Sequence, residues 1–109
     1  MRCLLKVSIP TGIGNERVID GSLPRTIESI LNDLNPEAAY FAEEQGARTG
    51  FVVCNLKDES EIPAIAEPWF LAFNARVEFH PCMTVADLKK AAPGFEKAIK
   101  KYSYMQKAA

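Results

Sequence analysis

The sequence predicts an α+β sandwich in which two βαβ halves build one four-stranded antiparallel sheet with its long helices on one face. β-rich runs of period two alternate with apolar runs of spacing three and four in the order β, α, β, β, α, β. The middle pair flanks Gln45-Gly46-Ala47, a connection short enough for a hairpin, in which Gly46 supplies a positive φ. Each half carries a proline-interrupted crossover helix, with Pro24 in the first and Pro68 in the second. Right-handed crossovers then give a split βαβ, ferredoxin-like sheet with strands in the spatial order 4-1-3-2.

The elements follow in order. Arg2 to Ile9 alternates and stops at Pro10-Thr11-Gly12, a first strand. Asn15 to Leu34 places Val18, Ile19, Leu23, Ile27, Ile30, Leu31 and Leu34 on one helical stripe. Pro24 lacks the amide that would bond residue 20, so a kink or a restart capped by Ser22 is expected, and Asn35-Pro36 closes the helix. Glu37 to Glu44 and Arg48 to Leu56 are the hairpin strands. Asp58-Glu59-Ser60 offers caps for a second kinked helix, with Ile62, Ile65, Ala66, Trp69 and Phe73 on its stripe and Trp69 and Phe70 as core anchors. Ala75 to Met83 is the last strand. Thr84-Val85-Ala86-Asp87 starts a short helix through Ala92, Pro93-Gly94 breaks it, and Phe95 to Met105 forms an amphipathic helix with Lys100, Lys101 and Lys107 on its solvated face.

A chain of 109 residues, 48% apolar and 25% charged, is sized for one domain, residues 1–109, divided into a βαββαβ core (1–83) and a helical extension (84–109). A compact chain of this length has a radius of gyration of about 13 Å. Thirteen Lys+Arg against fourteen Asp+Glu, with no like-charge run beyond two, lack the basic footprint of a nucleic-acid binder. Met1 to Val7 is too short an apolar stretch for a signal segment, and no window approaches a membrane span, so a cytoplasmic protein is expected. Cys3, Cys54 and Cys82 are read as reduced and packed, with strand parity pointing Cys3 and Cys82 to opposite faces. Phe51-Val52-Val53-Cys54 is apolar on both faces, which a strand bare to water on one side would not be. A second copy of the chain is the simplest cover, so the expected partner is a homodimer or higher homo-oligomer.

The βαββαβ order, the strand ending in Pro81-Cys82-Met83 before the Thr84-led helix, and the segment Ile62-Pro63-Ala64-Ile65-Ala66-Glu67-Pro68 together resemble small proteins of the dimeric α/β-barrel superfamily. Antibiotic-biosynthesis monooxygenase-like, muconolactone isomerase-like and EthD-like proteins share that superfamily. The resemblance implies the fold and a dimer. It carries no catalytic residue to this chain, because function in such folds lives in the site and not in the scaffold.

The densest polar row lies on the last strand, where Arg76, Glu78, His80 and Cys82 share one face and Val77, Phe79, Pro81 and Met83 the other. His80 is suited to proton transfer near neutral pH, or to an interface with Glu78 paired to Lys6. Alternate residues on a strand lie roughly 7 Å apart, so Glu78, His80 and Cys82 do not make a metal site alone, and neither metal nor cofactor is expected. Tyr40, Arg48 and Arg76 form a second group, able to clamp a carboxylate and donate to a carbonyl or to cover a sheet edge. Trp69 is a candidate cavity wall. Gly12-Ile13-Gly14-Asn15 has the context of a phosphate turn, but Arg17 stands where the third glycine of that motif belongs. Two function classes remain: binding or transforming a small organic metabolite between sheet and helices, with His80, Tyr40 and Arg48 as polar contacts, or a non-catalytic assembly subunit.

Overall fold

The computed structural model describes residues 1–108. Its elements are β1 (Arg2–Ile9), α1 (Thr11–Ile19), α2 (Leu23–Leu34), β2 (Ala38–Glu44), β3 (Ala47–Asn55), a 3₁₀ turn (Glu59–Glu61), α3 (Ile62–Phe73), β4 (Arg76–Pro81), α4 (Val85–Lys90), α5 (Ala92–Tyr102) and α6 (Tyr104–Ala108). The sheet order is β2-β3-β1-β4, all neighbours antiparallel. This is the ferredoxin-like α+β fold that the sequence predicts.

β1 alternates without a fault: Cys3, Leu5, Val7 and Ile9 are buried, while Leu4, Lys6 and Ser8 lie between them on the other face. Register places Leu5 opposite Val52 on one side and Phe79 on the other. Ile30 of α2 and Ile65, Trp69 and Phe73 of α3 close over this row. Burying each such side chain stabilises the fold by roughly 1.5–3 kcal/mol. Trp69 and Phe73 are fully buried with ring centroids 6.3 Å apart, and the Trp69 Nε1 meets no acceptor among the described residues. Phe70, expected beside Trp69 in the core, is exposed, because one residue along a helix turns the side chain by about 100°.

Local chemistry sets the boundaries. Gln45 and Gly46 both have positive φ (52° and 77°), the type I′ requirement for a two-residue hairpin, and Ala47 therefore opens β3 instead of lying in the loop. Asp58 and Glu61 form a capping box before α3, and Thr84 and Asp87 form another before α4. The first crossover is two helices, separated at Gly21 (φ 78°). Ser22 does not cap with its hydroxyl: it has helical torsions, where a capping residue needs extended ones, and its amide instead donates to Asp20 Oδ1 at 2.8 Å. α3 runs through Pro68 as one element. β4 ends at Pro81, so Cys82 and Met83 lie beyond it, and Met83 is exposed instead of helix-covered.

The largest departure is at the helical extension. Pro93, expected to break a helix, sits in the first turn of α5, where its missing N–H has no helical partner to lose. The expected single helix over Phe95 to Met105 is interrupted at Ser103. Every residue from Val85 to Gln106 except Ala91 is exposed. The radius of gyration is 18.6 Å and the longest extent 59 Å, not the compact value, because this arm projects from the sandwich.

Cys3 and Cys54 are register partners facing the helices, and all three cysteines are free. Burial pushes the Cys54 thiol up to about 11 and raises that of Cys3. The unfolded thiol ionises from its ordinary 9.0 upward, so the contribution of a neutral buried Cys54 is complete below that pH and is lost as pH rises towards 11. Urea denaturation across this window should show stability falling less steeply in Cys54→Val than in the parent; equal slopes would contradict this account.

Candidate functional site

The two faces of the sheet carry different chemistry. On the helix side, a groove of about 540 Å³ opens between the β2–β3 hairpin and the start of the first crossover, walled by Ile9, Leu23, Ile27 and Phe41, with Thr11, Glu43, Arg48 and Thr49 as its polar lining. Two glycines make the room. A Cβ on Gly50 would stand 2.8 Å from the ring of Phe41, its register partner, and a Cβ on Gly14 would stand 2.6 Å from Arg48 Nη1. The Phe41 ring and the Arg48 guanidinium therefore lie over the two positions that carry no side chain.

Arg48 is held by one hydrogen bond, Nη2 donating to Asn15 Oδ1 at 3.0 Å. No carboxylate among the described residues is within ion-pair distance of it. Its register partner Glu43 instead accepts the Gly46 amide of the turn at 2.9 Å. A planar cation with free donors, next to Thr11 at the positive end of α1, suits a carboxylate.

The opposite face is open. One cross-strand row reads Tyr40, Phe51, Lys6, Glu78, and its neighbour reads Ala38, Val53, Leu4, His80. Lys6 Nζ reaches across β3 to Glu44 Oε1 at 2.8 Å and stands 3.9 Å from Glu78 Oε2. His80 Nε2 lies 3.3 Å from Glu78 Oε1. The hydrogen bond and charge of Glu44 raise the Lys6 ammonium above the ordinary lysine range. The Lys6–Glu78 pair expected from the sequence exists, but the shorter contact is to Glu44, a residue that enters only once the hairpin register is known.

The sequence candidates thus separate. Arg48 lines the groove; Tyr40, Arg76, Glu78 and His80 lie on the open face, and Trp69 is sealed in the core away from both. Tyr40 on β2 and His80 on β4 occupy opposite edges of the sheet, about 14 Å apart at three strand spacings, and do not converge on one small ligand. Cys82 follows the end of β4, and among the described residues no group of three or more His, Cys, Asp or Glu is arranged to hold a metal. The Gly12 to Asn15 segment is no turn but part of α1, where Gly14 receives Arg48.

Gly14→Ala is expected to keep the unfolding free energy within about 1 kcal/mol of the parent, since the helical gain of alanine offsets a displaced, flexible guanidinium. The Arg48 Nε–H resonance should move at the same time. A loss of several kcal/mol would show that the new methyl group strains backbone instead of a side-chain tip.

No curated protein matches the chain. Residues 35–96, from the end of α2 through the hairpin, α3, β4 and α4 into α5, match a family model. The match takes in Tyr40, Arg48, Trp69, Arg76, Glu78 and His80 and leaves out β1, α1 and α2 with the groove residues Ile9, Thr11, Leu23 and Ile27. It spans more than half of the chain, which therefore belongs to the family described as a domain of unknown function, DUF3303.

Proposed function

We propose that this protein is a homodimeric, cytoplasmic binding protein for a small, largely apolar organic acid, held in the hairpin groove with Arg48 as the carboxylate contact. The observation that carries the reading is an arginine with no carboxylate partner among the described residues, at the polar end of a groove whose other walls are mostly apolar and whose one acidic lining residue, Glu43, is turned to the Gly46 amide. The proton-transfer candidates His80 and Tyr40 stand on the other face, which favours holding the ligand over transforming it. The dimer is supported by the open face, where Tyr40 is 74% exposed beside half-buried Phe51, Val53 and Leu4, an apolar patch bordered by the Glu44–Lys6–Glu78 charges. That same patch supports the second reading, an assembly subunit without a ligand.

A thermal-shift screen of small aromatic and aliphatic carboxylates against their neutral amides tests the groove. Acids should raise the melting temperature by several degrees, as roughly 2.7 kcal/mol at a hundredfold excess over Kd implies. The shift should vanish in Arg48→Ala and persist in His80→Ala. Loss in His80→Ala with retention in Arg48→Ala would move the site to the open face, and no shift with any acid would leave the assembly reading. For the dimer, light scattering at micromolar concentration should give twice the 12.1 kDa of one chain; a value of 12.1 kDa would remove the interface.

A further inference from the structure

We propose that the arm, residues 84–108, is a clasp that docks on the acidic body of a second copy of this chain; the inference shares with the reading above only that the protein self-associates. The near-neutral total hides a division of charge. Residues 84–109 hold six lysines against Asp87 and Glu96, a net +4, while residues 1–83 hold seven Lys+Arg against twelve Asp+Glu, a net −5. The arm is also apolar along one stripe: Leu88, Phe95, Ile99 and Tyr102 recur at helical spacing and are all exposed.

The body has a surface of matching character. Arg17 Nε donates to the Ala72 carbonyl at 3.5 Å, which brings the end of α1 to the end of α3. Ile19 and Leu71, 85% and 80% exposed, lie on these two ends with Phe70; the same segments carry Glu16, Glu67 and Asp20, the last paired with Arg17 at 3.5 Å, a net −2. The arm does not serve its own patch. β4 starts opposite Ser8, where α3 has just ended, and finishes opposite Cys3, so the arm leaves the sheet about 20 Å away and extends the molecule to 59 Å. A basic amphipathic helix pointing away from its own acidic, apolar patch fits the same patch on another copy.

Sedimentation equilibrium of the full chain tests this, with circular dichroism to confirm folding. Ile99→Asp/Tyr102→Asp in the arm and Leu71→Asp in the patch should each raise the dimer Kd at least tenfold, with no further increase when combined. Lys97→Glu/Lys100→Glu/Lys101→Glu should do the same without touching the stripe, and the parent Kd should rise with salt. A dimeric parent whose Kd is unchanged by the arm variants overturns the clasp and leaves the open-face dimer standing. Unchanged Kd in Tyr40→Glu, with loss in the arm variants, removes the open-face interface and keeps the clasp. A monomeric parent overturns both, also where it binds phosphatidylserine vesicles through the arm.

Discussion

The structure depends on the strict alternation of β1, which shares the centre of the sheet with β3 and lies between it and β4. Because side chains of a strand change face at every residue, the register that buries Cys3, Leu5, Val7 and Ile9 fixes Lys6 on the opposite face. A slip by one residue against β3 or β4 would set Lys6 beneath Trp69 and Phe73. The apolar weight of α3 therefore selects the register. The register in turn decides that Arg48 faces the helices and that Glu78 and His80 face away from them.

From that constraint comes a division of labour between two faces. The helix side is sealed over most of its area by α2 and α3 and remains open at the hairpin end, where Gly14 and Gly50 give the Arg48 guanidinium and the Phe41 ring the space they occupy. The open side keeps its polar groups in a chain of contacts from Glu44 through Lys6 and Glu78 to His80. Exposed ion pairs of this kind add little to stability.

Much of this was legible in the amino-acid order because it is local. The Gln45-Gly46 turn, the Thr84 to Asp87 capping box and the inward row of β1 each follow from residues a few positions apart. The groove was not, since it needs Gly14 beside Arg48 and Gly50 beside Phe41, contacts that exist only after α1 is laid against the hairpin. In sequence, Gly12 to Asn15 shows only the incomplete context of a phosphate turn, whereas in the fold Gly14 is helical and used for its missing side chain. Glu44 escaped because it meets Lys6 across an intervening strand. The stripe over Phe95 to Tyr102 is legible as amphipathic, yet periodicity says only that a face is apolar and not that it is left exposed.

Amide chemical-shift mapping with a stabilising carboxylate distinguishes the two faces of the sheet. The groove assignment expects Gly14, Asn15, Ile27 and Arg48 to shift in a saturable manner while Glu78 and His80 stay unmoved. Shifts centred on Lys6, Glu78 and His80, with Gly14 and Arg48 unmoved, would contradict it.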